Sequence, residues 1–196
     1  MRGLKEVLLE VIEPVDLPMN DEIIEVINFI KTNYDGDATH MRLKEFGPKR
    51  TSGFYIRPEK NDDGKYVVDF KGFMRVKNLQ ITSLTNDLFV FGEGKMGKLD
   101  ASFECSKCKN LTSLEGAPER VSRTFSCDRC ENLTSLEGAP IEVGYNFICY
   151  GCTSLKSLKG APKKVRVSFQ CQSCGVQFTE DDIKKVSKVR NEEYYV

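Results

Sequence analysis

The chain has 196 residues, and its 29 Lys and Arg balance 29 Asp and Glu at a pI near 6.6, which disfavours a globally basic nucleic-acid binder. That length suits one domain with appendages rather than several independent enzymatic domains. The longest apolar stretches, Val7 to Ile12 and Ile23 to Ile30, are interrupted by Glu and Asn and fall short of the ~18 apolar residues of a spanning helix. No cleavable signal pattern opens the sequence, so the expectation is a soluble, cytoplasmic protein that does not enter a membrane.

Residues 1–50 read as a helical segment. Leu4, Val7, Leu8 and Val11 repeat at helical spacing before Pro14, and Ile23, Ile27 and Ile30 do so again after Asn20, with Glu22 and Glu25 turned outward. A loop through Gly47 to Gly53 follows. Residues 51–102 then suggest a hairpin, Phe54 to Arg57 with Tyr66 to Phe70, turning at Asn61-Asp62-Asp63-Gly64. Phe73, Asn78, Ile81, Thr82, Ser83 and Leu84 look like a degenerate repeat, set apart by a loop containing Gly92, Gly94 and Gly97.

Residues 103–178 carry a 22-residue repeat in four units that open at Phe103, Phe125, Phe147 and Phe169, each with Phe-x-Cys-x-x-Cys. The first two continue as Leu111-Thr112-Ser113-Leu114-Glu115-Gly116-Ala117-Pro118 and Leu133-Thr134-Ser135-Leu136-Glu137-Gly138-Ala139-Pro140, and the third keeps Leu155, Ser157, Leu158 and Gly160-Ala161-Pro162. A unit this short leaves an apolar edge that only the next unit can cover, so stacking is forced. Phe103 and Cys105 alternate with Ser102, Glu104 and Ser106, the period of a half-buried strand. Leu111, Leu114 and Val121 supply the rest of the interior. Gly-Ala-Pro ends the segment, since Gly tolerates unusual φ and Pro lacks the amide proton that would continue a ladder.

In residues 179–196 the fourth unit is expected to stop after Cys174 and give way to a C-terminal capping helix. Thr179 is its N-cap and Glu180-Asp181-Asp182 its first turn, with Ile183, Val186 and Val189 as one apolar face. The fold class is therefore α+β: a short parallel β solenoid of leucine-rich-repeat type, with a helical segment before it and a capping helix after it.

The Leu-Thr-Ser-Leu-Glu-Gly-Ala-Pro unit, the Phe-x-Cys opening and the stretch from Phe178 to Val186 resemble a group of leucine-rich-repeat proteins abundant in tailed bacteriophages. The Cys-x-x-Leu-x-Ser-Leu stretch is similar to the repeats of bacterial BspA-like surface proteins. The match runs from about Asp63 to Val189. It implies the solenoid fold and a phage-encoded protein acting in the cytoplasm of an infected bacterium on a host or defence factor. Fold alone does not set activity.

Eight cysteines form four pairs: Cys105 and Cys108, Cys127 and Cys130, Cys149 and Cys152, Cys171 and Cys174. Two such pairs in isolation read as a thiolate zinc site. Because these recur in phase with the apolar positions, stacking would instead make two columns of small buried thiols, and no metal is the favoured expectation. Enzyme readings lack parts: His40 is the only histidine, and there is no phosphate-binding loop or nucleophile elbow. The expected function is non-enzymatic binding of a protein partner, a host bacterial protein. Ile148 and Tyr150 would stand side by side on an outer strand, where two large apolar groups need a covering surface. The alternative is a nucleic-acid-binding module, zinc-stabilised or not, built on the acid-free run Lys156, Lys159, Lys163, Lys164 and Arg166. The sequence leaves oligomeric state open.

Overall fold

Residues 20–36, 41–42, 53–57, 59–92 and 101–196 are described by the structure, a computed structural model. The helix expected at Leu4 to Val11, His40, most of the loop from Gly47 and the glycines Gly94 and Gly97 lie outside them.

Helix α1 (Asp21–Asn33) begins where the sequence offers a cap: the Asn20 side chain accepts from the Ile23 amide at 2.8 Å, and Asp21 and Glu22 occupy the positive end of the helix dipole. Ile23, Val26, Ile27 and Ile30 form its buried face, while Glu22 and Glu25 are exposed. The chain then enters β1 (Tyr34–Gly36) and β2 (Met41–Arg42).

The expected hairpin is present. Strand β3 (Gly53–Ile56) runs antiparallel to β4 (Tyr66–Val76), and the turn closes through Asn61 N–H to Lys65 O and Gly64 N–H to Asn61 O, both 2.9 Å. Strand β4 extends six residues beyond the expected Phe70 and serves two partners. Its first half pairs with β3 and with β5 (Phe89–Phe91), and its second half pairs with β1 and with β6 (Ala101–Glu104). Gly72, at φ 90°, sits at the changeover, where a left-handed backbone lets one strand bend between two surfaces.

From β6 onward the chain coils as a parallel solenoid. One ladder adds β8 (Phe125–Ser126), β10 (Phe147–Ile148) and β12 (Ser168–Gln170). The second ladder is formed by β7 (Arg120–Val121), β9 (Glu142–Val143) and β11 (Lys164–Val165). The register repeats without slippage: Phe103, Phe125, Phe147 and Phe169 are successive partners. Their rings form one column, with centroids 5.7, 5.7 and 4.9 Å apart. Leu111, Leu114, Val121 and their equivalents in the next two rungs are all buried, which places the interior as the repeat predicts.

Two expectations at the ends are corrected. Phe73 is not the first member of the phenylalanine column: Met74 is the register partner of Phe103, and Phe73 is turned outward beneath the Arg75 guanidinium, 5.0 Å from its ring. The rings of Tyr34, Phe70 and Phe91 already surround Phe103 at 6.3, 6.0 and 5.4 Å. The slimmer Met fills what remains, and a one-residue change of register reverses every side chain of that strand. The rest of the degenerate rung aligns as expected, with Leu84 buried and Thr82 O accepting from Thr112 N–H.

At the other end the fourth rung does not stop after Cys174. Helix α2 (Glu180–Val186) has the Thr179 cap, reinforced by a capping box in which the Asp182 carboxylate accepts from the Thr179 amide. It ends at Val186, with Val189 outside it on β13 (Lys188–Val189), paired in register with β11. The tail forms β14 (Glu193–Tyr195), which sets Tyr194 opposite Phe169. The capping helix is thus an insertion within a rung. Val189 is drawn from the helix because the Val121–Val143–Val165 column needs a fourth member to cover it.

Among the described residues no helix is long and apolar enough to cross a membrane.

Leu136, fully buried, is expected to cost about 2–5 kcal/mol when changed to Ala, read as a lower denaturant midpoint. A glycine pair tests the stacking itself. Gly64 and Gly138 both have positive φ, but a Cβ at Gly64 would meet nothing within 4 Å, whereas one at Gly138 would lie 2.1 Å from the Glu115 amide nitrogen of the rung above. Gly138→Ala is therefore expected to lower the melting temperature much more than Gly64→Ala; equal shifts would show that the rungs do not approach this closely.

Candidate functional site

Three features of the repeat carry chemistry: the thiol columns, the outer face of the long sheet and the basic run. In each rung the first cysteine follows the inward phenylalanine by two residues and points inward with it. The chain then makes a tight turn in which Lys107, Arg129, Gly151 and Ser173 all have left-handed backbone, φ 55–70°. That turn brings the second cysteine back toward the core. Cys130, Cys152 and Cys174 then donate to the carbonyl oxygens of Cys105, Cys127 and Cys149 in the preceding rung at 3.1, 3.2 and 3.3 Å. The second column thus satisfies buried backbone acceptors that would otherwise be orphaned.

The protonation of the thiols follows from that setting. The hydrogen bond with Cys130, and then burial, hold Cys105 well above the ordinary thiol range, and Cys127 is raised in the same way by Cys152. Burial leads at Cys149, with its hydrogen bond to Cys174 second. Burial also pushes Cys108 and Cys171 up to about 12. Cys174 alone is half-exposed, and its hydrogen bond with Cys149 lowers it.

Zinc would require these sulfurs as converging thiolates. A deprotonated sulfur of the second column would instead face a carbonyl oxygen with no proton between them. Among the described residues, no group of three or more His, Cys, Asp or Glu side chains is placed to hold a metal ion.

The outer face of the long sheet presents the row Arg75, Glu104, Ser126, Ile148, Gln170 and Tyr195, one residue per strand. Arg75 and Glu104 form an ion pair at 2.9 Å. The neighbouring row holds Ser106, Asp128, Tyr150 and Gln172. Sequence alternation alone missed a polar knot here. Although outward by period, Ser106 and Ser126 are buried, hydrogen-bonded to each other at 3.1 Å and both to the Asp128 carboxylate. Ile148 and Tyr150 lie just beyond it, half-exposed. The Arg129 guanidinium lies 5.2 Å from the Tyr150 ring centre, close enough to hold that ring by cation–π attraction. Helix α1 leads into β1 on β4, three strands away from β10 in the sheet order, so α1 is the cap of the first rung.

The basic run divides. Lys156 and Lys159 precede the turn at Gly160, and Lys159 is paired with Glu137 of the rung above at 2.8 Å. Lys163, Lys164 and Arg166 follow that turn on and beside β11, all exposed. The fourth rung adds two cations that sequence reasoning assigned to the capping helix and the residues after it. Lys188 is the register partner of Lys164, and Arg190 N–H donates to Val165 O just as Arg166 N–H donates to Val143 O.

No protein-family model, curated protein or solved structure matches this chain.

The thiol geometry generates a measurable count. With a thiol-specific disulfide reagent at neutral pH, the folded protein should show one reactive cysteine, Cys174, and release the other seven only on denaturation. Rapid labelling of several cysteines in the folded state would contradict the buried columns.

Proposed function

We propose that this chain is a non-enzymatic interaction protein that captures a protein partner on the outer face of its long sheet. The observation that carries the reading is the contrast between a uniform interior and a varied exterior. Phe, Cys, Leu and Val recur at the equivalent inward positions of the three full repeats, while the outward row runs Glu104, Ser126, Ile148, Gln170. A frame whose inside is constant and whose outside differs rung by rung is a display surface. Within it, Ile148 and Tyr150 provide an apolar and an aromatic group side by side, the latter braced by Arg129, and such braced aromatics are typical anchors of binding energy.

The burial of seven of the eight thiols supports a structural role, since a sulfur closed off from solvent is a poor nucleophile. The likeness of the repeats to phage leucine-rich-repeat proteins supports a partner in the cytoplasm of an infected bacterium, a host or defence factor.

The test is capture from nuclease-treated bacterial lysate by the tagged protein, compared with the Ile148→Ser/Tyr150→Ser double variant. One host protein should be enriched by the parent and reduced at least tenfold with the variant, whose melting temperature should be unchanged. Equal enrichment by both would refute the assignment of this face.

A further inference from the structure

We propose that the outer face of the short sheet is a second binding surface, separate from the one above, that takes single-stranded nucleic acid.

The fourth rung assembles this surface. Lys164 and Lys188 are direct neighbours on β11 and β13, and Arg166 and Arg190 are neighbours two residues further along the same strands. Parallel strands lie about 4.8 Å apart and alternate residues about 6.6 Å apart, so these four exposed cations mark the corners of a small rectangle. Lys163, also exposed, extends it along β11.

Like charges placed opposite each other on adjacent strands destabilise a sheet. The two preceding rungs avoid this: Arg120 and Glu142 occupy the same positions and form an ion pair at 2.6 Å. Glu142 also stands 3.8 Å from Lys164. No carboxylate of the described residues pairs with Lys163, Arg166, Lys188 or Arg190. Glu192 and Glu193 lie beyond, in the turn and on β14 of the other sheet. Apart from the contact of Lys164 with Glu142, the block is therefore positive charge that the described carboxylates do not neutralise, and a polyanion is its complement.

A second observation narrows the class of polyanion. Two residues with exposed large apolar side chains adjoin this block through the backbone: Ile141, whose carbonyl accepts from Lys163 and Lys164 N–H, and Tyr145, 52 % exposed, whose carbonyl accepts from Val167 N–H beside Arg166. An exposed aromatic ring beside a row of cations is the arrangement that stacks an unpaired base while the backbone phosphates meet Lys and Arg. A duplex keeps its bases stacked inside and offers no face to Tyr145. An acidic peptide would use the cations and leave the ring idle.

The experiment is fluorescence anisotropy of the whole protein with labelled 12-nucleotide oligothymidine, oligouridine and a mixed-sequence duplex, with polyglutamate as competitor. Binding is expected to both single strands, weakening about 50-fold between 50 and 200 mM salt for four phosphate contacts. Arg166→Glu/Arg190→Glu should weaken it at least tenfold with an unchanged melting temperature. If that variant folds poorly, Lys163→Glu/Lys188→Gln carries the same expectation. Tyr145→Ala should lose about tenfold through lost stacking. Ile148→Ser/Tyr150→Ser should bind as tightly as the parent, which separates this surface from the protein-binding face. Absent or salt-insensitive binding, full affinity in the charge variants or Tyr145→Ala, equal or tighter binding to duplex, or displacement by polyglutamate as effectively as by unlabelled oligonucleotide would each overturn the proposal.

Discussion

The backbone hydrogen bonds between rungs govern everything else in this molecule. Phe103 N–H bonds to Thr124 O, Cys105 N–H to Ser126 O, Phe125 N–H to Asn146 O and Cys127 N–H to Ile148 O, at 2.8–3.0 Å. These bonds lock the register, so each side chain meets its own counterpart about 4.8 Å away. Only side chains that tolerate an identical neighbour suit the interior. Flat rings satisfy that condition, and Phe103, Phe125 and Phe147 lie within 9° of parallel. Glycine is required where the loops touch: a Cβ on Gly116, Gly138 or Gly160 would fall within about 2.6 Å of the backbone of the preceding rung.

The same spacing accounts for the cysteines. The second thiol must be small enough to stack and polar enough to satisfy a carbonyl oxygen of the rung before it. A thiol meets both demands as a weak donor with modest volume. Leucine or valine at this position would orphan the carbonyl, with a desolvation cost of about 1–3 kcal/mol. A finite stack also exposes two apolar ends, which are covered differently here. The first is closed by α1 and the cluster of Tyr34, Phe70, Phe89 and Phe91, and the last by α2 with Ile183 and by β14.

The central rungs were legible in the sequence because their period is strict, and a strict period predicts the register along with the fold. The ends were legible only in part, and the reason is specific in each case. At the first rung, aromatic groups from sequence-distant segments, Tyr34 and Phe91, occupy space that a phenylalanine would otherwise take, so Met74 displaces Phe73 from the column. At the last rung the period lengthens: 24 residues separate Val165 from Val189 and 25 separate Phe169 from Tyr194. With the 22-residue rule broken, the helical spacing of Ile183, Val186 and Val189 became the strongest local pattern, and it reached one element too far. The Ser106–Ser126–Asp128 knot escaped notice because alternation records which way a side chain points and says nothing of what covers it.

The two proposed binding surfaces show the same division. Ile148 and Tyr150 stand out in sequence because they interrupt a polar outward row. The cationic face stands out only in half: the run through Lys163, Lys164 and Arg166 is visible, but Lys188 and Arg190 are separated from it by a helix in the chain and join it only through the β11–β13 pairing. A net charge of zero hides this. In a solenoid, charge is distributed by rung: Glu137 and Glu142 are engaged by Lys159, Arg120 and Lys164, while α2 pairs Glu180 with Lys184 and Asp182 with Lys185. These neighbouring carboxylates are committed to their own partners. The cations left over at the third and fourth rungs are therefore a consequence of which rung each acid occupies, and an overall charge count cannot reveal the field that a partner approaching that face would meet.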